Sequence, residues 1–120
     1  MDKIKISFTG FPSPARDYGE NSLDLNSLVV SNPCSTFFLR VEDNFEKEGI
    51  KKGDIIVVDT SIENFENKLI VAEFKGELVI GRVLKEKNKT IFVSKSIKEE
   101  VSEDTNFEVF GVITFLLRKL

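Results

Sequence analysis

The sequence predicts one mostly β domain, and three observations carry that expectation. From Thr36 onward, six short runs rich in Val, Ile, Phe and Thr are broken by Gly, Asn or charged turns. Gly76 and the pair Asn88-Lys89 stand where tight hairpin turns need positive φ. Only one stretch, Leu25 to Val29, carries helical spacing. At 120 residues the chain is long enough for one domain that buries roughly two-thirds of its unfolded surface. The expected architecture is a β-barrel or packed sheets, with one short helix. Residues 1–22 form an extended N-terminal arm and residues 23–120 the domain.

Taken in order, Pro12 and Pro14 fix φ and push Phe11 and Ser13 into extended geometry, and Gly19-Glu20-Asn21-Ser22 is polar and turn-forming. Asp24 can cap a short helix that carries Leu25, Leu28 and Val29 on one face and ends at Asn32-Pro33. Thr36 to Val41 is the first clear strand. Asp54 to Asp59 is the second, and its continuous apolar stretch implies burial on both faces. Lys68 to Lys75 and Glu77 to Leu84 form a hairpin about Gly76, and Asn88-Lys89 turns the chain into Thr90 to Val93. Phe107 to Leu117 is long and apolar. It is either an edge strand covered by a partner or a second copy, or a central strand, because periodicity alone does not separate the two.

Composition excludes several functions. With no histidine and one cysteine, Cys34, the chain has no usual transition-metal set, no internal disulfide and no histidine-based catalysis. Cys34 reads as a small, partly buried thiol, and no metal or cofactor is expected. A net charge of -3 and a pI near 5.1 disfavour direct nucleic-acid binding. Phe37, Phe74, Phe92, Phe107, Phe110 and Phe115 lie in strand-like runs and read as core rather than as base-stacking platforms. The longest apolar run, Gly111 to Leu117, is too short to span a bilayer, and Met1 to Ile6 lacks an apolar signal segment, so a cytoplasmic location is expected. Glu42-Asp43, Glu46-Lys47-Glu48, Lys51-Lys52, Lys85-Glu86-Lys87 and Lys98-Glu99-Glu100 read as solvated polar turns.

Several segments recur in a family order. They are Gly10-Phe11-Pro12-Ser13-Pro14-Ala15, Asp24-Leu25-Asn26, Gly49-Ile50, Gly53 to Asp59, Gly76-Glu77, Glu103-Asp104 and Val109-Phe110-Gly111-Val112. In this order and spacing the chain resembles UmuD and the related LexA-type autopeptidases of the peptidase S24 family. The Phe-Pro-Ser-Pro element is nearer the UmuD branch. The resemblance implies a β-rich S24 fold that dimerises partly through its C-terminal strand, with Phe107, Val109, Phe110, Val112, Ile113 and Phe115 as interface candidates. It also implies a Y-family DNA polymerase and the RecA filament as partners.

The family's chemistry uses a serine nucleophile and a neutral lysine that accepts its proton. Here the sequence departs from the pattern. From Val41 to Val58 there is no Ser, Thr or Cys, and the resemblance places Asn44 at the nucleophile position. Gly81 stands at the lysine position. Arg82 faces the other side of the strand and stays protonated, and Lys85 lies four residues along, roughly 13 Å away at about 3.3 Å per residue. In Ser94-Lys95-Ser96, adjacent residues point opposite ways, so the segment reads as a solvated strand end. The family's cleaved bond corresponds to Thr9-Gly10, with nine residues before it, so the chain is expected to resemble the already processed form.

The expected function is therefore that of a non-catalytic, dimeric accessory subunit of an error-prone polymerase in SOS translesion synthesis. Two alternatives stay open. One is a serine/lysine autopeptidase with an unrecognised dyad, and the other is a dimerisation or decoy module that pairs with a family paralogue.

Overall fold

β-branched and aromatic runs separated by left-handed turns assemble into one antiparallel sheet. The computed structural model describes residues 6–8, 28–30 and 32–120, the first of these as backbone alone. Its strands are β1 (Ile6–Phe8), β2 (Thr36–Val41), β3 (Ile55–Asp59), β4 (Ile70–Phe74), β5 (Glu77–Glu86), β6 (Lys89–Val93), β7 (Lys98–Val101) and β8 (Phe107–Leu117). They lie in the order β1-β2-β3-β8-β4-β5-β6-β7. The fold is mostly β as expected. Its terminal strands β1 and β7 do not pair with each other, so the sheet is open rather than a closed barrel. No helix among the described residues is long and apolar enough to cross a membrane.

The two hairpins turn through Lys75-Gly76 and Lys87-Asn88, and all four residues have positive φ, the primed-turn geometry that matches strand twist. The second turn lies one residue earlier than the sequence suggests, because Lys89 already pairs with Glu86. Strand β5 has two roles. Its first half, Glu77 to Gly81, pairs with β4, and its second half, Arg82 to Glu86, pairs with β6.

Two cores lie on opposite faces, because successive residues of a strand point to opposite sides. Leu39, Val41, Ile56, Val58, Val71 and Ile80 form the first, closed by Phe45 and Ile50 from the β2–β3 loop. Ile70, Ala72, Phe74, Val79, Val83, Phe92, Val101 and Val112 form the second. Within it the rings of Phe74, Phe92 and Phe107 pack with centroids 5.0–6.2 Å apart.

Several expectations are corrected. Of the two places the sequence left open for strand β8, the structure has the interior one: Phe107 to Val112 pair with β4 and Val112 to Leu117 pair with β3, with an irregularity in each ladder. Its first seven residues serve both cores: Phe107, Val109 and Val112 pack in the second while Phe110 and Ile113 pack against the first. Phe115 is the exception, since it is 39% exposed and not core. Lys98-Glu99-Glu100 is strand β7, because pairing of its backbone with β6 lets alternate charged side chains reach solvent. Asn32-Pro33 does not merely stop a helix. The Asn32 side chain accepts from the Cys34 amide at 3.3 Å and starts a 3-10 turn, Pro33–Ser35, that leaves Cys34 exposed. Of the expected helix, Leu28 and Val29 are helical, Val30 is not, and residues 24–27 and 31 lie outside the described residues. Of the arm, Ile6–Phe8 pairs with Leu39 to Val41 of β2, and the Thr9-Gly10 bond lies outside the described residues.

Candidate functional site

The β2–β3 loop, residues 42–54, carries Asn44, and it is held by apolar anchors and by cations from three other parts of the chain. Phe45 and Ile50 bridge each other through amide to carbonyl bonds of 2.8 and 3.1 Å and bury their side chains in the first core. Between them Glu46–Glu48 forms a 3-10 turn that Gly49 ends at φ 73°. The base of the loop is closed by the Val41 amide to the Asp54 carbonyl and the Gly53 amide to the Val41 carbonyl, both 2.8 Å.

The cations come from β5, from the turn after β6 and from the segment after β8. Arg82 donates from Nε to Glu48 Oε2 and from Nη2 to Oε1, each at 2.9 Å, and from Nη1 to the Asn67 carbonyl at 2.7 Å. Arg118 makes a similar fork on Asp54, at 2.8 and 2.7 Å, and also donates to the Gly49 carbonyl at 2.7 Å. Lys95 Nζ lies 3.6 Å from Asp43 Oδ2. Planar guanidinium groups suit such two-point contacts with carboxylates. The hydrogen bonds from Arg82 hold the Glu48 carboxyl below its ordinary range against the opposing effect of burial. Those from Arg118, aided by the Lys51 amide, do the same for Asp54.

Asn44 sits on the exposed side of this loop. Its carboxamide oxygen accepts from the Lys52 amide at 2.9 Å, so the side chain serves as a backbone tie within the loop. Gly81 is buried on β5 opposite Ile70, on the side of Val79 and Val83. A Cβ there would lie 2.7 and 2.8 Å from Cε1 and Cζ of Phe92 and would strike the Val93 carbonyl oxygen. Arg82, the next residue, points to the other face and reaches the loop, as the strand period predicts.

A neighbour of each position makes an ion pair, though not with a neighbour of the other. Glu48 touches Arg82 beside Gly81, while Asp43 beside Asn44 touches Lys95. Ser94 is buried rather than a solvated strand end, and its hydroxyl donates to the Ile80 carbonyl at 2.5 Å. Ser94 and Lys95 therefore have different partners on different elements. The arrangement presents a carboxamide already bonded and a glycine with no room for a side chain. Neither supplies a nucleophilic oxygen or a proton acceptor at those two positions.

Sequence reading missed the two arginine forks. Glu48 and Arg82 are separated by 34 residues and Asp54 and Arg118 by 64, so no local spacing rule announces either pair. The one available signal is that Asp54 opens an otherwise apolar run.

Comparison with known proteins places these observations in a wider set. Residues 5–114 match the family described as peptidase S24-like. Over 112 residues the chain is 37% identical to Protein ImpA of Salmonella typhimurium, covering 92% of this chain and 77% of that protein. It is 34% identical to Protein SamA of Salmonella typhimurium (strain LT2), covering 92% and 79%. Protein MucA of Escherichia coli is 32% identical, with 90% and 77% covered.

Proposed function

The chain belongs to the peptidase S24-like family, and from that premise we propose that it is a UmuD-like protein of SOS mutagenesis acting as a non-catalytic, dimeric accessory subunit of an error-prone Y-family DNA polymerase. The observation that carries this reading is the joint state of the two family positions. Asn44 offers only a carboxamide engaged by the Lys52 amide, and Gly81 offers no side chain and no space for one. Loss of one position would leave a half-site, whereas loss of both removes the nucleophile and its base together.

What the fold retains is a rigid surface. The loop that carried the chemistry is held by Arg82, Lys95 and Arg118, so it keeps one shape without a catalytic duty. The C-terminal half of β8 supports the dimer. Phe115 to Leu117 are paired with β3 on one side, and Phe115 and Leu116 are 39% and 37% exposed. An open strand segment with exposed apolar side chains suits antiparallel pairing with a second copy. The polymerase and the RecA filament enter as partners through the UmuD resemblance.

The test is a pull-down with Y-family polymerases, read by native mass spectrometry. A polymerase bound to two copies of this chain, with no fragment released on incubation with RecA, single-stranded DNA and a nucleotide analogue, is the expected result. Release of an N-terminal fragment, sharpest at alkaline pH where lysine is neutral, returns the chain to the autopeptidases. Tight dimers that capture no polymerase point instead to a decoy that pairs with a paralogue.

A further inference from the structure

We propose that the lysine position of the family is filled in this chain rather than merely vacant: Gly81, Phe92, Val93 and Ser94 form one packed junction, so a side chain can no longer return at residue 81. The inference deepens the non-catalytic reading above and rests on the same assignment of Gly81 to the family's lysine position.

Gly81 is the last residue of β5 that pairs with β4, and Arg82 is the first that pairs with β6. At this change of partner the end of β6 lies close against β5. The Val93 carbonyl and the Phe92 ring occupy the space that a Cβ at 81 would need, the ring atoms at 2.7 and 2.8 Å. Real Cβ atoms do not approach that closely, and a backbone carbonyl within a ladder has little freedom to withdraw. A glycine inside a strand marks such an approach of backbone to backbone.

Two further contacts hold this approach in place. The buried Ser94 hydroxyl donates to the Ile80 carbonyl at 2.5 Å, which ties the end of β6 to the residue before Gly81. Phe92 is fully buried and packs at tilted angles against Phe74 and Phe107, so its ring cannot swing away without opening the second core. The general-base position has become part of the joint between the two halves of the sheet.

The sign of one substitution separates this from an ordinary strand glycine. At an unobstructed strand position Gly→Ala is neutral or stabilising, because glycine loses more backbone freedom on folding. Here Gly81→Ala is expected to lower the urea midpoint of the full chain. The double variant Gly81→Ala/Phe92→Leu should lose less than the sum of the two single losses, since the smaller side chain relieves the ring contact. An unchanged or raised midpoint for Gly81→Ala, or strictly additive losses, overturns the proposal. The pair Asn44→Ser/Gly81→Lys should give no folded, self-cleaving chain, and recovery of a folded protein that sheds an N-terminal fragment overturns it as well. Self-cleavage by the unaltered chain would count against the non-catalytic reading alone and would leave the Gly81→Ala result to decide the packing.

Discussion

Arg82 grips Glu48 through two parallel bonds of 2.9 Å, joining β5 to a loop that lies 34 residues earlier in the chain. The contact puts a permanent cation on the loop side of β5, one residue from a buried glycine that faces the opposite core. It also braces the polar part of the loop that carries Asn44. Phe45 and Ile50 supply the apolar anchors, and the guanidinium fixes the polar turn between them.

Replacing Arg82 by Met keeps much of the stem but removes the fork. Both partners remain partly open to solvent, at 35% and 20% exposure, so the expected cost is no more than roughly 1 kcal/mol. Hydrogen exchange at the amides of Glu48 and Gly49 should accelerate more than the global change explains. Arg82→Lys should recover less than half of the loss, because an ammonium cannot reproduce the two-point contact.

Acid should weaken the fold through three carboxyl groups. Glu48 is held below its ordinary range by Arg82, Asp54 by Arg118, and Asp59 by the hydroxyl and amide of Ser61. In each case the folded value lies below the unfolded one, so the contribution is complete above the ordinary carboxyl values, about pH 4 to 4.5, and is lost as pH falls through the folded values. Melting midpoints should therefore be level from pH 8 to about pH 5 in a chain without histidine, and fall below that. A steeper change between pH 5 and 8 than below pH 4.5 would contradict this assignment. Asp54→Asn should flatten the acid limb.

Gly111→Ala should destabilise even though alanine ordinarily suits a strand better. An added Cβ would lie 2.7 Å from Val58 Cγ1 and 2.9 Å from the Asp59 carbonyl oxygen, between the two irregular ladders of β8. Overpacking of this kind costs about 1–3 kcal/mol, measurable as a lower denaturant midpoint at unchanged m-value.

Ile50→Ala should cost about 2–5 kcal/mol, because its side chain is fully buried in the first core and is the loop's deeper anchor. Phe115→Lys should behave differently. Its ring is 39% exposed, so the melting midpoint should barely move, and the dimer proposed above should give way to monomer in native mass. A Phe115→Lys chain that remains fully dimeric would remove this strand from the interface.

The sequence by itself determined the elements that depend on neighbours along the chain. Thr36 to Val41 and Phe107 to Leu117 are strands to the residue, and Gly76 lies in a left-handed turn, because side-chain period and φ preference are local properties. It also shows that residue 44 is an asparagine and residue 81 a glycine, since residue identity needs no coordinates. Tertiary structure alone decided which elements lie side by side. Strand β8 is central because β3 and β4 take opposite edges of it, and its apolar pattern is compatible with either place. The charged run Lys98-Glu99-Glu100 is a strand because β6 offers it hydrogen bonds, and Cys34 is exposed because Asn32 starts a turn beneath it. The arginine forks and the filled space beside Gly81 belong to the same class. They arise where residues distant in the chain meet, and packing in three dimensions, rather than propensity, sets what fits there.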